Sequence, residues 1–430
     1  MGVVDLSNVL VWEFLFRFSF AERLNILRLA TLLLFFVSSN PCFADRGLEA
    51  ALKSTLFNHP SILGKEAEVS ARNHEIASIH GQKLPSVSID ASAQQAVQAY
   101  ANLQVKQPLF TFGKISAELQ LAKAKSEVEQ AELFHLKRKL LEQTSTAYLN
   151  ILIAFNNKTV AEDYVFSLEK LRDKVKRREA GQLATKAEVV LIEARLVQAK
   201  AQLSRQNSEL ARLENELLML TQQPIDCTIK INKNWFAYSD LNKLKTEILT
   251  QSSEVIVKSK MLELAQAERL MQAKADRPTV YLKANKSLSG AGRSKAPTVG
   301  IFLETDFNGF GKIKKGRVDA YQARVDASFQ DINSTKIKIV GRVTELISSR
   351  DQSKQLSLEL QKSVDAIATL LASYERQYQV GNKSWLDLVN MHREYYEQKL
   401  QLNLANKDWM NSALILSALS GDLDVAIILN

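Results

Sequence analysis

The sequence predicts an α+β membrane protein in which long coiled-coil helices alternate with four short β-strands, and in which one structural plan occurs twice. Gly and Pro are scarce, with 15 and 7 among 430 residues, so the secondary structure elements should be long and uninterrupted. Landmarks of the first half return in the same order in the second half. Two segments in each half alternate apolar and polar side chains, as strands do.

The charged residues indicate solvated helix faces. The formal net charge is +9, but Lys and Arg alternate with Glu, Asp and Gln along the helical patterns. A nucleic-acid-binding protein usually concentrates its positive charge in basic tracts with aromatic side chains nearby. We therefore expect no nucleic acid partner.

The N-terminus has the features of a secretory signal peptide. Arg23 and Arg28 precede an apolar run at 29–37, and a small-x-small site follows at 42–44. The apolar run is shorter than the roughly 20 residues that a membrane-spanning helix needs. We expect cleavage after Ala44 and export of the mature chain.

The second half of the chain repeats the first at an offset of roughly 195 residues. In each copy a helix ends at a Pro, two short strands follow, a Gly precedes a very long helix, and a second Gly turn reverses the chain into a return helix. The paired landmarks are Pro85 with Pro278, Phe112-Gly113 with Phe310-Gly311, and Gly181 with Gly381. The helices are expected at 48–83, 114–179 and 185–221, and again at 241–275, 312–379 and 384–419.

These landmarks divide the chain into five parts. We expect a signal peptide at 1–44, a first structural repeat at 45–225, a linker or equatorial segment at 226–240, a second repeat at 241–423 and a C-terminal tail at 424–430. The strand–helix junctions are expected at Pro85, Pro108, Gly113, Pro278 and Gly311, and the helix-reversal turns at Gly181 and Gly381.

The helices have the periodicity of coiled coils. Leu196, Leu203, Leu210 and Leu217 recur every seven residues, which favours helices packed along one another. The helix that precedes Gly181 would be roughly 100 Å long at about 1.5 Å per residue. Neither shorter helix of a copy can flank it alone, but the two placed end to end nearly match its length. This comparison favours a long tube over a soluble globule.

The alternating segments have the pattern of membrane hairpins. Val87 and Ile89 alternate with Ser88 and Asp90, and the second copy repeats the pattern from Val280 onward. Segments of about ten residues with one apolar and one polar face are typical of transmembrane barrel strands, although a soluble hairpin shows the same pattern. Four strands cannot close a barrel, and open edges are not tolerated in lipid. We therefore expect a barrel that is shared between subunits.

Short motifs lie at the helix starts, junctions and turns of the two copies. They are Asn58-His59-Pro60, Gln107-Pro108-Leu109-Phe110 before Gly113, Ala187-Glu188-Val189 after the Gly181 turn, and Tyr378-Gln379-Val380-Gly381 followed by Leu386-Asp387-Leu388-Val389. Together these motifs resemble the TolC family of Gram-negative outer-membrane channels. The resemblance extends over about 48–423.

The resemblance implies a homotrimer with a shared 12-stranded barrel in the outer-membrane lipid and an α-helical tunnel through the periplasm. It also implies docking to a periplasmic adaptor protein and to an inner-membrane transporter of the ABC or RND type. Members of this family are passive conduits, so the resemblance implies no enzymatic activity and no cofactor.

In the TolC family, side chains beside the second-copy turn close the periplasmic entrance. A Tyr before the Gly and an Arg after it form interhelical links, and two Asp residues form rings inside the pore. Tyr378 matches the Tyr, and Lys383 stands where the Arg is expected. Asp387 matches the first ring, while Asn390 replaces the second Asp. Arg172 stands where an acidic link partner is expected, with Asp173 beside it, so the resemblance implies a weaker closure.

Asp387 also has a second interpretation, as an exposed acid at the start of a helix. A carboxylate near a helix N-terminus is stabilised by the helix dipole whether or not it also lines a pore, so both interpretations stay open.

No pattern in the sequence indicates catalysis or metal binding. None of the five His residues has a partner at metal-ligand spacing. The segment 309–312 is similar to a phosphate-binding loop, but Ile313 stands where such a loop needs Ser or Thr. We therefore expect neither an enzyme nor a metal site.

Two other protein classes fit parts of the sequence. A periplasmic adaptor also carries helical hairpins, but it would have one hairpin between lipoyl-like β segments rather than two equivalent copies. A soluble coiled-coil scaffold would need neither the paired strands nor the signal peptide. Within the TolC family, the cargo could be drugs, metals or proteins, and the segments 177–181 and 191–196 most resemble the branch that serves type I protein secretion.

Overall fold

The computed structural model describes residues 47–94, 97–225, 241–289, 296–305 and 311–424. The predicted signal peptide at 1–44, the linker at 226–240 and residues 425–430 of the predicted tail lie outside these ranges. The first copy contains α1 (Leu48–Asn58), α2 (Pro60–Gly81), β1 (Ser86–Gln94), β2 (Val97–Phe110), α3 (Lys114–Ala180) and α4 (Lys186–Thr221). The second contains α5 (Leu241–Gln251), α6 (Ser253–Lys274), β3 (Thr279–Ser289), β4 (Thr298–Glu304), α7 (Lys312–Gln379) and α8 (Trp385–Ser420). None of the described helices is both long and apolar enough to cross a membrane.

The first helix of each copy is divided into two, whereas the sequence predicts one continuous helix. In the first copy, Pro60 lacks a backbone N–H and disfavours the helical conformation at His59, which is extended with ψ 123°. In the second copy, Ser252 leaves the helical conformation with ψ 121°, and its hydroxyl accepts a hydrogen bond from the backbone N–H of Val255. The break lies at the same place in both copies, but only the first copy has a Pro there.

The two long helices, α3 and α7, begin after the same kind of residue. Gly113 and Gly311 precede them, each with φ 82°, a left-handed conformation that Gly adopts at little cost. The helix α3 has 67 residues and α7 has 68, so each is roughly 100 Å long. The prediction of two very long helices, each preceded by a Gly, is confirmed.

Each long helix packs along shorter helices. In the first copy, α3 contacts α1, α2 and α4. The hydroxyl of Ser54 in α1 donates to the backbone carbonyl of Thr221, the last residue of α4, over 2.8 Å. Leu52 of α1, Leu149 of α3 and Leu217 of α4 share one hydrophobic core. The shorter helices therefore meet end to end beside the long one, as their lengths predict.

The strands form one antiparallel sheet in the order β1-β2-β3-β4. One row across the sheet, here the apolar row, consists of Val87, Val105, Ala284 and Val299, one residue from each strand. The apolar faces predicted for the two copies therefore coincide. This face is largely uncovered, since Val87 is 66% exposed and Ile301 is 71% exposed. An exposed face on which apolar side chains predominate is typical of a surface that contacts another protein or a membrane.

The opposite face of the sheet is polar. Lys106 and Lys283 both form ion pairs with the carboxylate of Glu304, and the Lys106 pair measures 2.8 Å. The amide of Gln104 donates to the side-chain oxygen of Asn285 over 3.0 Å. Side chains from three strands are thus connected on this face.

Pro108 lies inside β2, and not at the strand–helix junction where the sequence places it. The pairing of β2 with β1 ends at Lys106, so Pro108, which has no N–H to donate, lies beyond the last pair with β1. Its pairing with Tyr281 of β3 is followed directly by an irregularity in register. The other predicted junction residues flank their elements: Pro85 precedes β1, Gly113 precedes α3, Pro278 precedes β3 and Gly311 precedes α7.

The helix-reversal turns of the two copies correspond at an offset of 199 residues (381 − 182 = 199), whereas the predicted pairing of Gly181 with Gly381 implies 200. The left-handed residue is Gln182 in the first turn, with φ 58°, and Gly381 in the second, with φ 83°. Gly181 has φ −85° and ψ 9°, so its backbone is not left-handed. Two backbone hydrogen bonds of equal span agree with this offset: Leu183 N–H to Arg178 O, and Asn382 N–H to Gln377 O. The predicted equivalence of Gly181 and Gly381 is therefore wrong by one residue.

We predict that Gly381→Ala destabilises the protein, whereas Gly181→Ala does not. A Cβ at Gly381 would meet no atom within 4 Å, so the cost is the left-handed backbone alone, about 1 kcal/mol for Ala. A Cβ at Gly181 would lie 3.6 Å from two carbonyl oxygens, an ordinary contact, and its φ suits Ala. Thermal melting followed by helical circular dichroism measures the difference. Equal melting temperatures for the two variants would contradict the prediction.

Candidate functional site: the helix-reversal turns

Both helix-reversal turns lie at the end of the long helices that is remote from the strands, roughly 100 Å along the helix axis. One hydrophobic cluster, here the tip cluster, contains side chains of all four helices that meet there. Its members include Leu168 and Val175 of α3, Ile192 of α4, Tyr378 of α7 and Leu388 of α8. The hairpin α3–α4 of the first copy and the hairpin α7–α8 of the second therefore share one core at the tip.

Each return helix begins with a capping box. In α4, the Thr185 hydroxyl accepts from the backbone N–H of Glu188, and the Glu188 carboxylate accepts from the N–H of Thr185 over 2.8 Å. In α8, Ser384 and Asp387 make the same two contacts. Asp387 is the counterpart of Glu188 at the offset of 199. Within one chain, its contacts are those of an acid at a helix start.

The capping contacts hold both carboxylates in the charged form. The backbone N–H of Thr185 is the main cause that lowers the pKa of Glu188. The side chain of Ser384 is the main cause that lowers the pKa of Asp387. A hydrogen bond that favours the charged form makes protonation harder, so both acids remain anionic at neutral pH.

One side-chain hydrogen bond connects the two capping boxes. The indole N–H of Trp385, the first residue of α8, donates to Oε1 of Glu188 over 3.0 Å. Trp385 is only 8% exposed and belongs to the tip cluster. The bond therefore joins the start of one return helix to the start of the other.

The contact between Trp385 and Glu188 is absent from the sequence predictions. The Thr-x-x-Glu pattern identifies Glu188 as a capping residue. The Trp lies 197 positions away, in the other copy, and no local signal connects it with Glu188.

Tyr378 and Arg172 are not linked to each other within the described residues. The Tyr378 hydroxyl is buried and has no hydrogen-bond partner there, while the Arg178 guanidinium lies 5.4 Å from the centre of its ring. Arg172 pairs instead with the neighbouring Asp173, at 2.7 Å. A buried hydroxyl thus occupies the place where the resemblance implies an interhelical link.

Lys383 and Asn390 lie on the more exposed side of the second turn. The ammonium group of Lys383 lies 4.3 Å from the ring centre of Tyr374, which is a cation–π contact. Asn390 is exposed on α8, about one turn beyond Asp387. Of the four predicted gate residues, only Tyr378 is buried.

The tip is formed by contacts between four helices. Within the ranges that the structure describes, no three His, Cys, Asp or Glu side chains are placed to hold one metal ion. Glu188 and Asp387 are engaged in the capping boxes, and Glu188 also binds Trp385. The hydrogen bond between Trp385 and Glu188 connects α8 to α4, and breaking it would allow the two return helices to separate.

The sequence matches the family described as outer membrane efflux protein over residues 51–221 and 246–422. The chain belongs to the outer membrane efflux protein family. The resemblance to TolC-like channels and the predicted fold class, with its internal repeat, are confirmed by this match and by solved structures.

Several solved outer-membrane channels have the fold of this family member. CusC, whose structures concern transmembrane channel formation, superposes with a TM-score of 0.75 at 14% identity, over 88% of this chain and 93% of CusC. CmeC of Campylobacter jejuni gives 0.72 at 14% identity, over 87% and 85%. The open state of MtrE from Neisseria gonorrhoeae gives 0.70 at 18% identity, over 88% and 90%. No curated protein matches the sequence.

A buried His lies beside the turn of this efflux-family chain. His392 on α8 is 9% exposed, and its Nε2 lies 3.6 Å from the carboxylate of Glu375 on α7. Burial is the main cause that lowers the pKa of His392 below its ordinary value. The Glu375 carboxylate opposes this shift, and Lys174 of α3 adds to it.

We predict that Trp385→Phe loosens the tip. Phe keeps a buried ring but loses the N–H, which removes a net stabilisation of about 1 kcal/mol. Hydrogen–deuterium exchange should show the amides of 183–190 and 382–392 exchanging several-fold faster. Trp409→Phe makes the same chemical change towards the other end of α8 and should leave these amides unaltered. Unchanged exchange in Trp385→Phe would contradict the role of this bond.

We predict that acid weakens the tip cluster through His392. The folded pKa lies below the ordinary 6.5, so the unfolded chain takes up the proton first as the pH falls. The stability that neutral His392 contributes is therefore lost as the pH falls from 7 through the folded pKa. His392→Gln should reduce the fall in melting temperature between pH 7 and pH 5. Parallel falls in the wild type and the variant would argue against this role.

Proposed function

We propose that the chain is one subunit of a trimeric exit duct, a passive conduit across the outer membrane and the periplasm. The observation that carries this proposal is the exposed apolar face of the four-stranded sheet. The apolar row lies on this face, and the ion pairs of Glu304 with its two lysines lie on the other. A sheet with lipid on one side and an aqueous lumen on the other has this distribution of side chains.

The edges of the sheet support the shared barrel. Among the described residues, β1 and β4 each pair with one neighbouring strand only. Unpaired edges are not tolerated in lipid, so β1 of one subunit would pair with β4 of the next. Three subunits with four strands each give the 12-stranded barrel that the family resemblance implies. The long helices would continue from it as a tunnel through the periplasm.

The proposed partners are a periplasmic adaptor protein and an inner-membrane transporter of the ABC or RND type. In this proposal the duct is not an enzyme, and the transporter supplies the energy. The tip is the end that would meet these partners, because the opposite end of the long helices joins the strands.

Type I protein secretion is the proposed use of the duct, in preference to drug or metal efflux. The two segments that resemble the secretion branch, 177–181 and 191–196, lie on α3 and α4 at the first turn. They would therefore meet the partners directly. An ABC transporter and adaptor encoded beside this chain would support the proposal, and a neighbouring RND pump would count against it.

The tip is also the proposed gate. Three-fold symmetry would place three Asp387 carboxylates around one opening, which favours cations. Lys383 and Asn390 would surround the same constriction, and Tyr378 would support it from the tip cluster. The bond between Trp385 and Glu188 would hold it closed, because the link implied for Tyr378 has no partner among the described residues.

We predict that the mature chain is a trimer with its strands in the membrane. Native mass spectrometry of the detergent-extracted protein should give three times the mass of one chain. A monomer or dimer as the sole species would rule out the shared barrel.

We predict that Asp387→Ala reduces cation selectivity and weakens the block by trivalent cations in planar bilayers. Ala also removes the carboxylate's contact in the capping box, so Asp387→Asn, which keeps a hydrogen-bonding side chain without the charge, should have the same effect on selectivity. Asp408→Ala removes another exposed acid of α8 and serves as the control. Wild-type selectivity in both Asp387 variants would show that Asp387 serves only as a cap.

A further inference from the structure

The place where the strands meet the long helices carries a concentrated positive charge. The four segments at this junction, 81–85, 111–119, 274–279 and 311–320, contain eight Lys or Arg residues and three Asp or Glu residues. We call five of these basic residues the collar lysines: Lys83, Lys114, Lys312, Lys314 and Lys315. They flank the elements of the sheet in both copies, on the side where the helices begin or end.

The collar lysines have no acidic partner within the described part of the chain. Ion pairs are common elsewhere, and the nearby Arg317 pairs with Asp276 at 3.4 Å. On the polar face of the sheet, Lys106 and Lys283 share Glu304. The charge of the collar lysines is therefore available to an external anion.

Exposed apolar side chains lie beside the collar lysines, towards the strands. Leu84 is 65% exposed and directly follows Lys83, and Ile313 is exposed between Lys312 and Lys314. Phe110 is 57% exposed and pairs in register with Val280 of β3, at the end of the apolar face. Its ring packs edge-on against Phe112 at 4.6 Å. Aromatic side chains and lysines in this order are typical of the boundary between hydrocarbon and water.

We propose that the collar lysines bind the phosphate groups of anionic phospholipids. This inference rests on the proposed function, because it needs the apolar face of the sheet to lie in lipid. The collar would then lie at the level of the headgroups on the helix side of the membrane, which is the periplasmic leaflet. Charge complementarity selects an anionic headgroup over a zwitterionic one, and several lysines near the surface act together. Three subunits would close the collar into a ring around the duct.

The test compares two triple variants of the full mature chain. Lys312→Gln, Lys314→Gln and Lys315→Gln together neutralise the collar on α7. Lys336→Gln, Lys338→Gln and Lys354→Gln remove the same charge from exposed positions further along α7 and serve as the matched control. Each protein is purified in detergent and titrated with phosphatidylglycerol or phosphatidylcholine, and native mass spectrometry counts the retained lipids. In parallel, each is reconstituted into vesicles and its conductance is measured.

The collar variant should retain at least five-fold less phosphatidylglycerol than the wild type and the control, with phosphatidylcholine retention and conductance unchanged. Undiminished phosphatidylglycerol retention in the collar variant would overturn the proposal, and so would an equal loss in the control. A wild type that conducts but shows no preference for phosphatidylglycerol would overturn the lipid-binding proposal and leave the proposed duct intact. A wild type that inserts into neither phosphatidylglycerol nor phosphatidylcholine vesicles would overturn both the lipid-binding proposal and the proposed duct.

Discussion

A helix of 67 residues has an apolar stripe roughly 100 Å long, and the way this stripe is covered determines the rest of the structure. No shorter helix of the chain can cover it alone, so α1, α2 and α4 each cover part of its length. Ser54 of α1 is hydrogen-bonded to Thr221 where α1 and α4 meet. The second copy covers α7 with α5, α6 and α8. The strands are thereby carried to one end and the turns to the other. The sheet and the helix-reversal turns can be far apart in one chain only because both long helices are uninterrupted.

Most of this architecture could be predicted, because its signals are local or periodic. Gly113 and Gly311 mark the starts of the two long helices, because Gly adopts the left-handed backbone conformation at less cost than other residues. The alternation of apolar and polar side chains from Val87 onward predicts the two faces of the sheet. The break at Ser252 was missed because no Pro accompanies it and a Ser cap resembles any exposed Ser within a helix. The one-residue error at Gly181 arose because Gln182 takes the left-handed conformation that Gly takes in the second copy. Identity of residue type proved a weaker guide there than backbone geometry.

The tip was predictable in position but not in detail. Sequence spacing places Asp387 just after the second turn, and the structure adds that Asp387 repeats the contacts of Glu188. The side chain that crosses between the copies, Trp385, could not be identified, since its partner is set by tertiary packing. Sequence reasoning expected closure through Tyr378, whereas the contact within the chain is an indole bound to a capping acid. The same carboxylate thus stabilises a helix start and joins two hairpins.

The order of the strands has a consequence for how the chain acquires its structure. The hairpins β1–β2 and β3–β4 are local, but the central pairing joins β2 to β3, with Val105 opposite Ala284, about 180 residues apart. Closing so long a loop is slow, and the 67-residue helix and its return helix separate the two strands along the chain. Neither hairpin can complete the sheet until the second copy has been synthesised. Until then the apolar faces of the hairpins have no neighbouring strand to complete the sheet, which makes the incomplete chain prone to aggregation.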